Sequence, residues 1–261
     1  MTYNIPTKTA SSCRKGGMHM KQYQDIFKRY EKKYLLNPDQ YKRLKQRLEG
    51  KLEPDRFGKS TISNIYFDTP DHCLIQRSLE KPVYKEKLRL RSYGTPGMSD
   101  TVFVELKKKY KSIVYKRRVD MSLKEAVHYL YDLKPYEKPS QITKEIDWFL
   151  SYYEGISPAM FISYDRTALY SIEDPNLRIT FDRNILWREE DLKLDYGVWG
   201  DSLLEQGQRV MEIKIPDAMP LWLSHILDDL QIYPTSLSKY GRGYQESLKA
   251  IKTKKGVMKS A

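Results

Sequence analysis

Side chains that handle phosphate recur at every second position on several stretches with strand character. Lys87, Arg89 and Arg91 alternate with Leu88 and Leu90, and Glu105 and Lys107 with Val104 and Leu106. Arg178, Thr180 and Asp182 alternate with Leu177, Ile179 and Phe181, and Glu212 and Lys214 with Met211, Ile213 and Ile215. Guanidinium groups grip phosphate oxygens in a bidentate fork, and ammonium groups add point charge. Carboxylates among them are hard oxygen ligands of the kind Mg²⁺ or Mn²⁺ takes. Such a set suits phosphoryl transfer, where the protein contributes mainly positioning and charge stabilisation. No side-chain nucleophile stands out. His19, His72, His128 and His225 lack metal spacing, and Gly94–Gly97 and Gly241-Arg242-Gly243 match neither a P-loop nor a dinucleotide fingerprint.

Successive strand residues point to opposite faces, so each stretch builds one apolar and one charged face. On an antiparallel sheet the charged face often meets only solvent. Eight or so strands also close into a barrel with an interior wide enough for a ligand, and alternation alone does not say which way the charges point. Strands are expected over 22–34, 60–67, 83–93, 101–110, 113–121, 159–170, 177–185 and 209–215. Asn37-Pro38-Asp39 opens a helix to about Glu49, and Ser122 with Glu125 forms a capping box for a helix over 123–133. Further helices are expected after Thr69-Pro70-Asp71, over 142–153, over 221–230 and from Ser236 to about Lys252. The order gives one α+β domain on a large antiparallel sheet, residues 21–252, between a leader (1–20) and a basic tail (253–261).

Composition fits a folded, anion-binding protein. The chain has 261 residues, 40% hydrophobic, and 46 Lys and Arg against 34 Asp and Glu, a net charge of +12. That surplus predicts an anionic partner without choosing among nucleic acid, phosphates and a membrane surface. Two cysteines, Cys13 and Cys73, argue against a disulfide scaffold or zinc site and fit a reducing cytoplasm. No apolar run reaches the roughly 18 residues of a membrane span, and the first twenty residues have no secretory pattern.

Nine segments in series give the charges a direction. They are Arg29-Tyr30-Glu31-Lys32-Lys33-Tyr34, Asn64-Ile65-Tyr66-Phe67-Asp68-Thr69, Lys87-Leu88-Arg89-Leu90-Arg91-Ser92-Tyr93, Val104-Glu105-Leu106-Lys107, Tyr115-Lys116-Arg117-Arg118, Tyr164-Asp165-Arg166-Thr167, Arg178-Ile179-Thr180-Phe181-Asp182, Glu212-Ile213-Lys214 and Ser238-Lys239-Tyr240. In this order, over about 22–252, they resemble the VTC domain, the polyphosphate polymerase branch of the triphosphate tunnel metalloenzymes. The resemblance implies an eight-stranded antiparallel β-barrel tunnel with helices outside and a C-terminal helix capping one mouth. It implies that Lys33, Arg89, Arg91, Arg166 and Lys239 act on the substrate directly, and that Arg29, Lys87, Lys107, Lys116, Arg118, Arg178, Lys214 and Arg242 bind phosphate. Glu31, Glu105, Asp182 and above all Glu212 would hold Mn²⁺ or Mg²⁺. The wider superfamily opens with Glu-x-Glu-x-Lys where this chain has Arg29-x-Glu31-x-Lys33. One acidic ligand is thereby replaced by a cation.

The activity so implied is transfer of the γ-phosphate of ATP to a growing inorganic polyphosphate chain, with ATP and polyphosphate as partners. A metal-dependent tripolyphosphatase or nucleoside triphosphatase using the same tunnel is the alternative. A non-catalytic polyphosphate-binding domain is the rival from another class. No nucleic-acid motif appears, so a nucleic-acid partner is not expected. Eukaryotic members carry a further sensor domain and membrane helices, and this chain is expected to stand without them.

Overall fold

The computed structural model describes residues 30–111, 113–215 and 218–258; Arg29, the leader and residues 259–261 of the basic tail lie outside the described residues. The described chain forms strands β1 (Tyr30–Leu36), β2 (Leu52–Asp68), β3 (Tyr84–Tyr93), β4 (Thr101–Tyr110), β5 (Ile113–Ser122), β6 (Ser157–Ser171), β7 (Arg178–Arg188), β8 (Asp201–Ser202) and β9 (Arg209–Ile215). Helices α1 (Pro38–Arg47), α2 (Cys73–Leu79), α3 (Leu123–Leu130), α4 (Gln141–Tyr152), α5 (Leu221–Asp229) and α6 (Lys239–Met258) lie between and after them. Local chemistry sets several of these boundaries. Ser122 closes the capping box with Glu125 that its spacing predicts, and Asn37 at the start of α1 closes a second one with Gln40. α6 runs on to Met258, past the residue where the sequence begins the basic tail.

All pairings are antiparallel, in the order β1-β9-β7-β6-β2-β3-β4-β5, with β8 appended to β7. β1 and β5 are the two ends of this path and do not pair with each other among the described residues, so the sheet is tunnel-like without being a closed barrel. The curl is nevertheless tight. Lys107 of β4 lies within electrostatic reach of Glu31 and Lys33 of β1, although those strands stand near opposite ends of the order. β2 is longer than its apolar pattern suggests, because its first half carries Pro54 and Gly58 and shifts register between Pro54 and Lys59.

The outward apolar faces form the core. Leu88, Leu90, Val102, Val104 and Leu106 pack under α3 and α4 with Ala126, Tyr129, Ile146 and Phe149. Tyr34, Leu36, Ile179, Met211 and Ile213 pack under α1 and α5 with Leu44, Leu223 and Ile226. Each fully buried aliphatic side chain here contributes about 1.5–3 kcal/mol, so apolar residues at alternate positions lock the register and turn the charged set inward. A third cluster, on the same face as Arg89, Arg166 and Glu212, contains Tyr66, Met160, Ile162, Trp187 and Val210, meets Tyr240 and Tyr244 and seats α6 on the sheet. No helix among the described residues is long and apolar enough to cross a membrane.

Candidate functional site

Two carboxylate hubs organise the cations inside the curled sheet. Glu105 on β4 is 1% exposed and ion-pairs with Arg89 (2.6 Å), Arg91 (3.7 Å), Lys116 (2.6 Å) and Arg118. The register puts Arg89 and Arg118 directly opposite it on the two flanking strands. Arg91 also donates from Nε to Asn64 Oδ1 at 2.9 Å and from a terminal nitrogen to the Tyr164 hydroxyl at 3.2 Å. Arg89 donates to the Tyr66 hydroxyl at 3.3 Å. These neutral partners fix the guanidinium planes without cancelling their charge.

The second hub is Asp182 with Glu212. Arg166, opposite Asp182 in the β6–β7 register, grips it through Nε at 2.6 Å and a terminal nitrogen at 2.7 Å, and reaches Glu212 at 3.4 Å. Lys239, the first residue of α6, places Nζ 2.6 Å from Asp182 and 3.3 Å from Glu212. Lys33 Nζ lies 3.4 Å from Glu31 and 3.5 Å from Glu212. Burial alone would raise the Glu212 carboxyl, but Lys239, Lys33, Arg166 and Lys214 hold it well below the usual carboxylate range. The Lys239 ammonium is raised despite burial, by Glu212 and Asp182.

α6 is positioned by a separate buried anchor. Asp68 ends β2 and accepts from the backbone N–H of Thr69, Leu74 and Ile75, capping the start of α2. It also accepts from the Tyr240 hydroxyl at 2.7 Å, and the Tyr240 ring stacks on Tyr66 with centroids 4.7 Å apart. Lys239 is thus held at the second hub by its neighbour in sequence.

A different population of cations makes no direct ion pair, although Lys107 and Lys214 lie within electrostatic reach of Glu31 and Glu212. Lys85, Lys87, Lys107, Lys109 and Lys214 form no ion pair among the described residues. Lys85 stands directly opposite Lys109, Lys87 opposite Lys107, and Lys107 opposite Lys116. Like charges paired across strands are destabilising. Burial, then Lys85, Lys33 and Lys107, pushes the Lys87 ammonium down to about 7. Burial also lowers Lys107 and Lys214, and takes Lys116 to about 8 although Glu105 opposes the shift. Lys87 donates to Ser238 Oγ at 3.0 Å, just before α6.

The sequence-predicted residues therefore separate into groups. Lys33, Arg89, Arg91, Lys107, Lys116, Arg118, Arg166, Lys214, Lys239 and Lys87 face one lumen, with Glu31, Glu105, Asp182 and Glu212 among them. Arg178 lies opposite Lys214 in the register but pairs with Asp55 of β2, and is partly exposed. Arg242, one turn into α6, is half-buried. Asn64, Tyr66, Tyr164, Asp68 and Tyr240 position the charged set; their motifs were visible, but none is a cation, so none carries a phosphate signal.

A divalent cation fits part of the acidic set. No group of three or more His, Cys, Asp or Glu side chains gathers as metal ligands among the described residues. Mg²⁺ does not require one, since it is commonly held by one or two carboxylates with water and substrate phosphates. Glu31 and Glu212 converge on the same ammonium, that of Lys33, and so share space where a cation sits. Glu105 and Asp182 are instead committed to ion pairs with arginines.

The chain is similar to several known proteins. The VTC domain family model matches residues 28–248. The vacuolar transporter chaperone complex subunit 4 of Schizosaccharomyces pombe is 24% identical, over 65% of this chain and 29% of that protein, so the chain spans less than a third of that relative's length. Among solved structures, a candidate adenylate cyclase from Bacillus halodurans superposes with a TM-score of 0.49 at 16% identity, covering 80% of this chain and 92% of that one. A candidate adenylyl cyclase from Hippeastrum with a dominant triphosphatase activity gives 0.48 at 14% identity, covering 83% and 95%. The matched span begins before β1, ends within α6 and takes in every charged residue of the lumen: the chain belongs to the VTC domain family.

Proposed function

We propose that the lumen binds a linear polyphosphate and transfers the γ-phosphoryl group of ATP to its end. The observation that carries this reading is a set of half-buried lysines that form no ion pair and face like charges across β3, β4 and β5, set beside arginines already held in place. Positive charge forced together in an unliganded protein is compensated by a linear polyanion more fully than by separate small anions. Membership of the VTC domain family and the vacuolar transporter chaperone relative support the polyphosphate chemistry.

In this reading Arg89, Arg91 and Arg166 hold phosphate oxygens in fixed orientation, and Lys33, Lys107, Lys116, Arg118, Lys214 and Lys239 balance charge along the chain. A terminal phosphate oxygen attacks the γ-phosphorus, the bond from that phosphorus to the bridging β-oxygen breaks, and ADP leaves. The transition state is loose, and positioned cations meet the charge that gathers on the bridging and equatorial oxygens. Glu31 and Glu212 would hold Mg²⁺ or Mn²⁺, which when bound supplies Lewis-acid neutralisation of phosphate oxygens. No protein nucleophile is needed.

The test is incubation of the purified protein with ATP labelled at the γ-phosphate and Mn²⁺ or Mg²⁺, followed by separation of products by size. Label in chains is expected. Label confined to orthophosphate would make the protein a triphosphatase, and unchanged ATP despite binding of tripolyphosphate would make it a receptor.

A further inference from the structure

The unpaired lysines do not stop at the lumen. Along β3 and β4 they continue outward at alternate positions, from the Lys87–Lys107 pair to the Lys85–Lys109 pair two residues further on. Two residues of strand advance about 6.5 Å, so the second pair is the next rung of one ladder. Beyond it lie Lys81, before β3, and Lys111, in the turn between β4 and β5. Burial, then Lys109, Lys107 and Lys33, lowers the Lys85 ammonium, so the outer rung belongs to the same electrostatic field as the inner one.

Three features separate this ladder from an ordinary solvated face. First, Lys85 and Lys109 are directly opposed and only partly exposed, an arrangement that costs stability and that neighbouring carboxylates do not relieve. Glu86, the acidic residue between the rungs, points to the other face, where it is buried against Lys108 and the Tyr153 hydroxyl. Second, Lys81 and Lys111 both adopt left-handed backbone conformations, with φ of 55° and 43°. Such conformations are uncommon for non-glycine residues and concentrate where function demands them. Third, the Lys111 N–H donates to the Val83 carbonyl at 3.0 Å, tying the two ends of this rim together.

We propose that Lys85 and Lys109, with Lys81 and Lys111 at the rim, bind the part of a polyphosphate chain that extends beyond the triphosphate held in the lumen. This rests on the polyphosphate reading above and adds a direction: the chain leaves past the start of β3 and the end of β4. The choice of residue agrees with the task. Arginine forks held by Asn64, Tyr66 and Tyr164 fix phosphates near the reacting centre. Lysines with rotatable donors and no ion pair hold a chain that must slide, Lys85 keeping only a 3.3 Å donation to the Ser78 carbonyl.

The experiment compares binding of tripolyphosphate and of a long-chain polyphosphate to the wild type, to the Lys85→Ala/Lys109→Ala double variant and to the Lys85→Arg/Lys109→Arg double variant. The alanine pair is expected to weaken long-chain binding about tenfold and to flatten its salt dependence by about two cations, leaving tripolyphosphate binding within about twofold. The arginine pair should retain both. Equal loss for both ligands, or loss for neither, overturns the ladder. So does a single-stranded oligonucleotide that binds as tightly as long-chain polyphosphate, because the rim is then a general polyanion surface. Failure of the wild type to bind either phosphate ligand sinks the parent reading instead, which keeps the two failures apart.

Discussion

The two halves of the lumen use positive charge in opposite ways. Around Glu105 and around Asp182 with Glu212, arginines are matched by carboxylates at 2.6–3.7 Å and their planes are fixed. On the β3–β4 ladder, lysines lie side by side with no ion pair among the described residues. In the proposed function the first half is built before any ligand arrives, and the second is completed by one. Buried ion pairs contribute little net stability against their desolvation, yet breaking one is costly, so their yield here is fixed geometry. The lysine half gives up stability to keep its charge available.

The sharpest way to break this comparison is at the hub. Glu105→Gln leaves Arg89, Arg91, Lys116 and Arg118 crowded without a counter-charge in a buried site. It is expected to cost about 3–5 kcal/mol of folding stability. Urea unfolding measures this, and a loss under 1 kcal/mol would mean that the arginines do not depend on the carboxylate. Bound tripolyphosphate should restore part of the loss, since it supplies the missing anion.

Glu212→Gln sharpens the comparison from the other side, because Glu212 touches both an arginine and the proposed cation position beside Glu31. Turnover is expected to fall about 10²–10³-fold, the effect of removing one preorganised electrostatic group at the reacting centre. Mn²⁺ binding followed by paramagnetic resonance should weaken in parallel, and binding at wild-type strength would exclude Glu212 as a ligand. Asp182→Asn, by contrast, should act mainly on stability, since Asp182 is fully engaged by Arg166 and Lys239.

Much of this division was legible in the sequence, and the rest was hidden for physical reasons. Period-two alternation fixes which residues share a face, and with the motifs it identified the inward set from Lys33 to Lys239. It does not distinguish a carboxylate that binds metal from one that binds arginine, because both need the same residue type at the same parity. Glu105 and Asp182 stand among the predicted metal ligands for that reason, and only distance shows their commitment to guanidinium groups. The outer rung was equally hidden, since Lys85 and Lys109 continue a parity that a solvated edge would also show. The unpaired β1 and β5 ends of the sheet depend on how far it curls, which no strand pattern encodes.

The lysine half can be relieved directly. Lys87→Met removes one of two opposed ammonium groups while keeping the aliphatic stem. The unliganded protein is expected to gain about 0.2–1 kcal/mol, the scale of a cross-strand pair, while tripolyphosphate binding weakens about tenfold. A variant that loses stability would show that Lys87 is compensated after all, through Ser238 or an unrecognised partner. Gain of stability with loss of binding is the signature of charge kept for a ligand.

The smallest effect is on pH dependence, and its sign follows from Lys87 of the ladder and Lys116 beside it at the Glu105 hub. Lys87 and Lys116 titrate near 7 and 8 in the folded protein and near 10.5 in the unfolded chain. Between those values the unfolded state binds more protons, so stability of the unliganded protein rises with pH. Lys239, shifted the other way, is raised above 10.5, and Glu105 and Glu212, shifted the same way, are lowered below 4.5, so all three lie outside this window. Thermal melts from pH 7 to 9 should therefore show a rising midpoint without ligand. The additional stabilisation by tripolyphosphate should shrink over the same range, as Lys87 and Lys116 lose the protons that attract it. A ligand increment that stays constant across that range would place the binding charge on the arginines alone, and the division of the lumen into a fixed half and a waiting half would fail.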